Sequence, residues 1–112
     1  MKKIEAIIRP QKLNEVKATL SNMGIIGMTV SNVLGFGKQR GYTQIYRGQE
    51  IISKLLPKIK IEVVVSNEKA DEVVTAIINT SKTGKFGDGK IFVFDILDTI
   101  RIRTGERGDD AV

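Results

Sequence analysis

Polar and apolar positions alternate near the start of the chain. In Lys3-Ile4-Glu5-Ala6-Ile7-Ile8, the side chains of Ile4, Ala6 and Ile8 share one face at period two, which predicts a half-buried strand. From Leu13 the period lengthens. Leu13, Val16, Leu20 and Met23 recur at helical spacing, so a helix follows the strand. Both signals return later. Lys60-Ile61-Glu62-Val63-Val64-Val65 repeats the strand, with Ile61, Val63 and Val65 inward, and the same shift carries Lys12–Val16 onto Lys69–Val73. The second helix has Ala70, Val73, Val74, Ile77 and Ile78 as its apolar stripe. Asn67 is the expected cap, with Glu68, Asp71 and Glu72 near the positive end of the helix dipole.

Each helix leads to a further strand, at about 28–34 in the first half and 90–95 in the second. The pattern is a duplicated βαβ unit, an α+β ferredoxin-like sandwich with both helices on one face of an antiparallel sheet. The opposite sheet face would carry Glu5, Ile7, Arg9, Lys60, Glu62 and Val64. It is too apolar to stay bare and too charged to be a core, so the expectation is cover by other copies of the chain with the charges paired.

Composition narrows the chemistry. The 112 residues suit one domain, 1–112, with one core. With no cysteine and no histidine, disulfides, thiolate metal sites, a cysteine nucleophile and the usual general base are excluded. No apolar run approaches the ~18 residues of a membrane span, and Met1-Lys2-Lys3 opens no signal-peptide core, so a cytoplasmic protein is expected. A net charge of +5 favours an anionic partner. Aromatics at 5% with no tryptophan, and a sheet face carrying Glu5 and Glu62, argue against direct nucleic-acid binding. The lack of a carboxylate pair at convincing spacing argues against an enzyme.

Three segments break the repeat. The stretch 37–56 is longer than most connections, carries Lys38, Arg40, Arg47 and Lys54 against Glu50, and includes Tyr42, Ile45, Tyr46, Ile51 and Ile52. It reads as a partner-binding loop. An insertion at 83–90, Thr83-Gly84-Lys85-Phe86-Gly87-Asp88-Gly89-Lys90, has the opening of a phosphate-loop pattern. However, Ile91 stands where Ser or Thr would hold magnesium, and the loop follows a helix instead of opening one. Its glycines suit either a plain turn or a nest of amides for phosphate oxygens, with Lys90 as a point charge. Arg101-Ile102-Arg103 reads as a strand with Ile102 inward and both guanidinium groups to one side. Beside the glycine loop, that favours a triphosphate pocket.

These residues resemble the PII family of nitrogen-regulatory signal proteins along the whole chain. The likeness lies in Met1–Pro10, Gly27-Met28-Thr29-Val30, Gly35-Phe36-Gly37, Tyr46-Arg47-Gly48, Thr83-Gly84 through Gly87-Asp88-Gly89-Lys90-Ile91-Phe92-Val93, and Arg101–Glu106. It implies a homotrimer of ferredoxin-like subunits, a T-loop at about 37–56, a phosphate loop at about 83–90 and a C-terminal segment at about 98–112. It implies a non-enzymatic sensor in which ATP and ADP compete, and in which ATP with Mg2+ permits binding of 2-oxoglutarate. The T-loop would then regulate an ammonium channel, a nitrogen-assimilation enzyme or a transcription regulator, with membrane contact only through a channel.

The same resemblance assigns residues. Gly87, Asp88, Gly89 and Lys90 match the phosphate loop, with Arg101 and Arg103 reaching the phosphates. Gly27, Met28 and Thr29 match the adenine side, with Val64 against the base. Gly35 and Gly37 begin the T-loop, and Lys38 replaces a common Arg, keeping the charge without the fork. Gln39 matches the magnesium ligand beside 2-oxoglutarate, while Lys58, with Gly87, matches the partner of that effector. Tyr46, Arg47, Gly48 and Ile51 form the partner-binding part of the loop. Ile51 stands at the usual modifiable tyrosine, Gln49 at a serine phosphorylated in some members, and Tyr42 at a common histidine. The resemblance is therefore to Gram-positive members without the modifiable tyrosine, controlled by ligand alone.

Overall fold

The computed structural model describes residues 1–36, 45–46, 49–50 and 55–112, with backbone alone at 45–46 and 49–50. Strand β1 (Lys2–Ile8) runs through a 3-10 turn at Pro10–Lys12 into helix α1 (Leu13–Asn22) and strand β2 (Met28–Gly35). Two short strands, β3 (Ile45–Tyr46) and β4 (Gln49–Glu50), pair with each other. Strand β5 (Leu56–Val65), helix α2 (Asn67–Ser81) and strand β6 (Lys90–Asp95) repeat the first unit. The main sheet is antiparallel in the order β2-β5-β1-β6, the expected duplicated arrangement. The two halves join through the pairing of the repeated strands, with Ile4 opposite Val63 and Ala6 opposite Ile61.

The two periodicities explain the core. Ile4, Ala6, Ile8, Ile59, Ile61, Val63 and Val65 alternate onto the helical side of the sheet, where Val16 and Leu20 of α1 and Ala70, Val73 and Ile77 of α2 meet them. Full burial of one such aliphatic side chain contributes about 1.5–3 kcal/mol. The helices also touch through the Thr80 and Thr19 hydroxyls at 3.3 Å. Two details of α2 depart from expectation. Asn67 is the first helical residue; the cap position is Ser66, in extended backbone and without a capping side-chain bond. Ile78 is 45% exposed, and Ser81 takes the next buried position. Ile78 lies on the flank of α2 that overhangs β6, the edge strand of the sheet among the described residues.

The other sheet face carries the expected mixture and more. Glu5 pairs with Lys60 at 3.6 Å and Glu62 with Lys3 at 3.3 Å, so the charges are matched within one chain. Register adds Phe92 opposite Glu5 and Phe94 opposite Lys3, whose ammonium lies 4.7 Å from the Phe94 ring centre. Both phenylalanines are exposed, beside half-buried Ile7, Val33 and Val64.

The C-terminal segment differs from the strand read in Arg101–Arg103. Residues 102–104 form a turn, closed by the Ile100–Arg107 bridge and by the Arg101 amide donating to the Glu106 carbonyl at 2.9 Å. Ile102 is fully exposed, not inward. Gly105 at φ 73° and its bond to the Arg101 carbonyl curl the chain before a strand can extend. Among the described residues, no helix is long and apolar enough to cross a membrane.

Candidate functional site

Two groups of expected site residues occupy opposite ends of the sheet. At one end lies a cleft of about 430 Å3 whose lining includes Gly27, Thr29, Glu62, Val64, Thr99 and Val112. Thr29 stands opposite Glu62 across β2 and β5, so alternation turns both to the same face as Val64, two residues along. Met28, between Gly27 and Thr29, turns the other way and packs against the core. A methyl group built on Gly27 would meet nothing within 4 Å, so the fold of one subunit does not require glycine there.

At the other end is the loop between α2 and β6. Asp88 organises it. One carboxylate oxygen accepts from the Thr83 and Gly84 amides, both at 2.9 Å, and the other from the Thr83 hydroxyl and from Arg9 Nε at 3.1 Å. Burial would raise the Asp88 carboxyl, but the donors on Thr83, Arg9 and Gly84 outweigh it and hold the group well below the usual carboxylate range. A second Arg9 nitrogen, Nη2, donates to the Phe86 carbonyl at 2.7 Å. Lys58 on β5 donates to the Gly87 carbonyl at 2.6 Å. Burial lowers the Lys58 ammonium pKa and neighbouring Arg9 lowers it further, with Asp88 opposing.

Glycine has a steric reason here at two positions. A side chain on Gly89, at φ 98°, would put its Cβ 1.7 Å from the Ile7 carbonyl oxygen. On Gly35 it would meet Lys58 Cγ at 2.9 Å, so the missing side chain makes room for the lysine stem.

The structure thus brings together Gly27, Thr29 and Val64, and separately Lys58, Gly87 and Asp88 with Gly89 and Lys90. Arg101 is engaged by Glu106, Nη1 to Oε1 at 2.8 Å, and Thr104 donates to the same oxygen at 2.8 Å. Arg103 lies exposed in the turn. Gly37, Lys38, Gln39, Arg47, Gly48 and Ile51 lie outside the described residues, and Tyr46 is placed by backbone pairing alone. Among the described residues, no three acidic side chains converge as a metal site would require. Sequence reasoning missed Arg9 as part of the loop. Alternation put it on the sheet face, and its partners are 77 and 79 residues away in the chain. It also missed Thr83 and Glu106, whose roles depend on turn geometry.

A family model described as Nitrogen regulatory protein P-II matches residues 1–106. The chain is 56% identical over 112 residues to Nitrogen regulatory protein P-II of Pasteurella multocida and 55% identical to that of Haemophilus influenzae, covering all of each chain. It is 56% identical to Nitrogen regulatory protein P-II 1 of Escherichia coli, again over the full length of both.

Proposed function

Because the chain belongs to the nitrogen regulatory protein P-II family, we propose that it works as a cytoplasmic, non-enzymatic sensor of ATP, ADP and 2-oxoglutarate. Its output is regulation of an ammonium channel, a nitrogen-assimilation enzyme or a transcription regulator through the T-loop. The observation that supports this most is the separation of the two groups of site residues. Val64 and Lys58 are six positions apart on β5, roughly 20 Å at ~3.3 Å per residue. One subunit therefore cannot close both ends on the same nucleotide. A neighbouring copy can, by setting its Gly27–Val64 cleft against the loop of the first. Such a head-to-tail contact closes into a ring when its rotation is a whole fraction of a turn, and three copies would give the trimer that the family resemblance implies. Burial of Phe92, Phe94, Ile7 and Val64 between copies would drive it.

In this reading adenine lies against Gly27, Thr29 and Val64, with Met28 supporting the strand from the core side. Gly87, Gly89, Lys90, Arg101 and Arg103 serve the phosphates. Arg101 must exchange Glu106 for a phosphate oxygen, one charge-assisted bond for another. Lys58 gives up the Gly87 carbonyl for a carboxylate of 2-oxoglutarate. A hard cation such as Mg2+ takes oxygen ligands. Without a carboxylate cluster among the described residues, its shell would come mainly from phosphate and effector oxygens, with Gln39 as the contribution of the chain. Gly35, Gly37 and Lys38 stand at the base of the T-loop, and Tyr46, Arg47, Gly48 and Ile51 reach the target.

Calorimetry with ATP, ADP and 2-oxoglutarate, with and without Mg2+, tests the sensor, and light scattering tests the trimer. The expected result is binding of either nucleotide to a trimer, and of 2-oxoglutarate only with ATP and Mg2+. A monomer, or effector binding that ignores nucleotide and metal, would overturn it. Sustained phosphate release at the ~1–1000 s⁻¹ of ordinary enzymes would replace the sensor with a catalyst.

A further inference from the structure

We propose that Arg9 and Asp88 are positioning residues for phosphate binding, an ion-paired clamp that presets the 83–90 loop with the amides of Gly87 and Asp88 turned outward. The inference rests on the nucleotide-binding reading above and concerns two side chains that would act through the backbone.

The geometry follows from peptide planarity. In a trans peptide the carbonyl and the following N–H point in opposite directions. Arg9 Nη2 holds the Phe86 carbonyl at 2.7 Å, so the Gly87 amide faces away from Arg9. Lys58 Nζ holds the Gly87 carbonyl at 2.6 Å, so the Asp88 amide faces away from Lys58. Two successive amides are thereby turned away from the protein's own cations, as an anion-binding nest requires. Gly87 at φ 98° supplies the left-handed residue that such a nest uses.

Asp88 does the complementary work. Its carboxylate takes up the Thr83 and Gly84 amides at 2.9 Å each, closing the start of the loop on itself. Neither the Gly87 nor the Asp88 amide is taken up by Asp88 itself, and the nest offers both to a ligand. Arg9 ties the assembly to the end of β1 through the 3.1 Å bond to Asp88, with both side chains half-buried. A planar guanidinium fits two acceptors set at an angle, here a carboxylate and a carbonyl. A loop held in this shape by its own side chains binds with a smaller ordering cost.

The clamp and simple charge effects predict opposite signs at Asp88. Removing a carboxylate beside a phosphate site should tighten phosphate binding on Coulombic grounds alone. If Asp88 acts by shaping the loop, Asp88→Asn should weaken it. The experiment uses the full-length protein, wild type, Arg9→Met and Asp88→Asn. It measures amide hydrogen exchange at Thr83 and Gly84 without ligand, and titrates ATP, ADP and inorganic triphosphate. Faster exchange at both amides in Arg9→Met is expected, with about tenfold or greater loss of affinity for ATP and triphosphate in both variants. Unchanged exchange in Arg9→Met, or tighter triphosphate binding by Asp88→Asn, would overturn the clamp. A wild type that binds no nucleotide would instead overturn the nucleotide reading, and the positioning role with it.

Discussion

Replacing Gly89 with alanine tests how β6 is joined to the sheet. The new Cβ would stand 1.7 Å from the Ile7 carbonyl oxygen, and contacts under 3.0 Å are essentially never found for real Cβ atoms. The strands must part by about 1.3 Å at that point, where Ile7 faces Lys90 in the β1–β6 register. The obstacle is backbone, so no rotamer relieves it. Alanine at φ 98° adds roughly 1–2 kcal/mol of conformational strain, and loosening the end of the ladder costs about 0.5–1.5 kcal/mol per hydrogen bond. Together, with one ladder bond lost, these predict a loss of about 1.5–3.5 kcal/mol. Urea unfolding followed by far-UV circular dichroism measures it, with Gly27→Ala as the control, since a side chain there meets nothing within 4 Å in the subunit. Gly89→Ala should shift the midpoint clearly downward and Gly27→Ala should not. An unchanged midpoint for Gly89→Ala would refute the close approach of β1 to the loop, and with it the geometry assigned to residues 87–90.

Acid should loosen the loop with a sign set by Asp88. Its native carboxyl pKa is lowered, so its contribution is complete above the unfolded value near ~4 and is lost as pH falls through the lower native value; the acid limb of the wild-type stability curve should be steeper than that of Asp88→Asn, and identical limbs would count against it. Lys58→Met should reduce Mg2+- and ATP-dependent binding of 2-oxoglutarate by about tenfold or more, beyond whatever nucleotide affinity is lost with the bond to the Gly87 carbonyl; calorimetry showing equal effector affinity would remove Lys58 from that site. Phe92→Asp puts a charge on the mixed sheet face and should convert the expected trimer to smaller species in light scattering; an unchanged mass would mean that this face is not the contact between copies. Arg47→Ala should weaken pull-down of an ammonium channel from membranes without altering nucleotide binding, and undiminished capture would point to another target or another part of the loop.

How much could be read in advance depended on the range of the interaction responsible. The strands at Ile4–Ile8 and Ile61–Val65 and the helices containing Val16–Leu20 and Val73–Ile77 were legible because their periodicity is set by neighbours in the chain. Their duplication then identified the α+β class, and the motifs from Met1 to Glu106 identified the family. Composition and spacing, which are local properties, also located the glycine loop, and the family resemblance marked Lys58 and Val64 as candidates. Tertiary structure alone decided what those candidates touch. Arg9 reaches Asp88 and Phe86 only because β1 lies beside β6, and Lys58 reaches Gly87 only because β5 lies on the other side of β1. The Arg101–Arg103 alternation mimicked a strand, yet the Glu106 bonds and the left-handed Gly105 folded it into a turn that leaves Ile102 in solvent. Periodicity records which face of an element is apolar. It carries no register between distant segments, and at these sites the register determines which charged group meets which backbone atom.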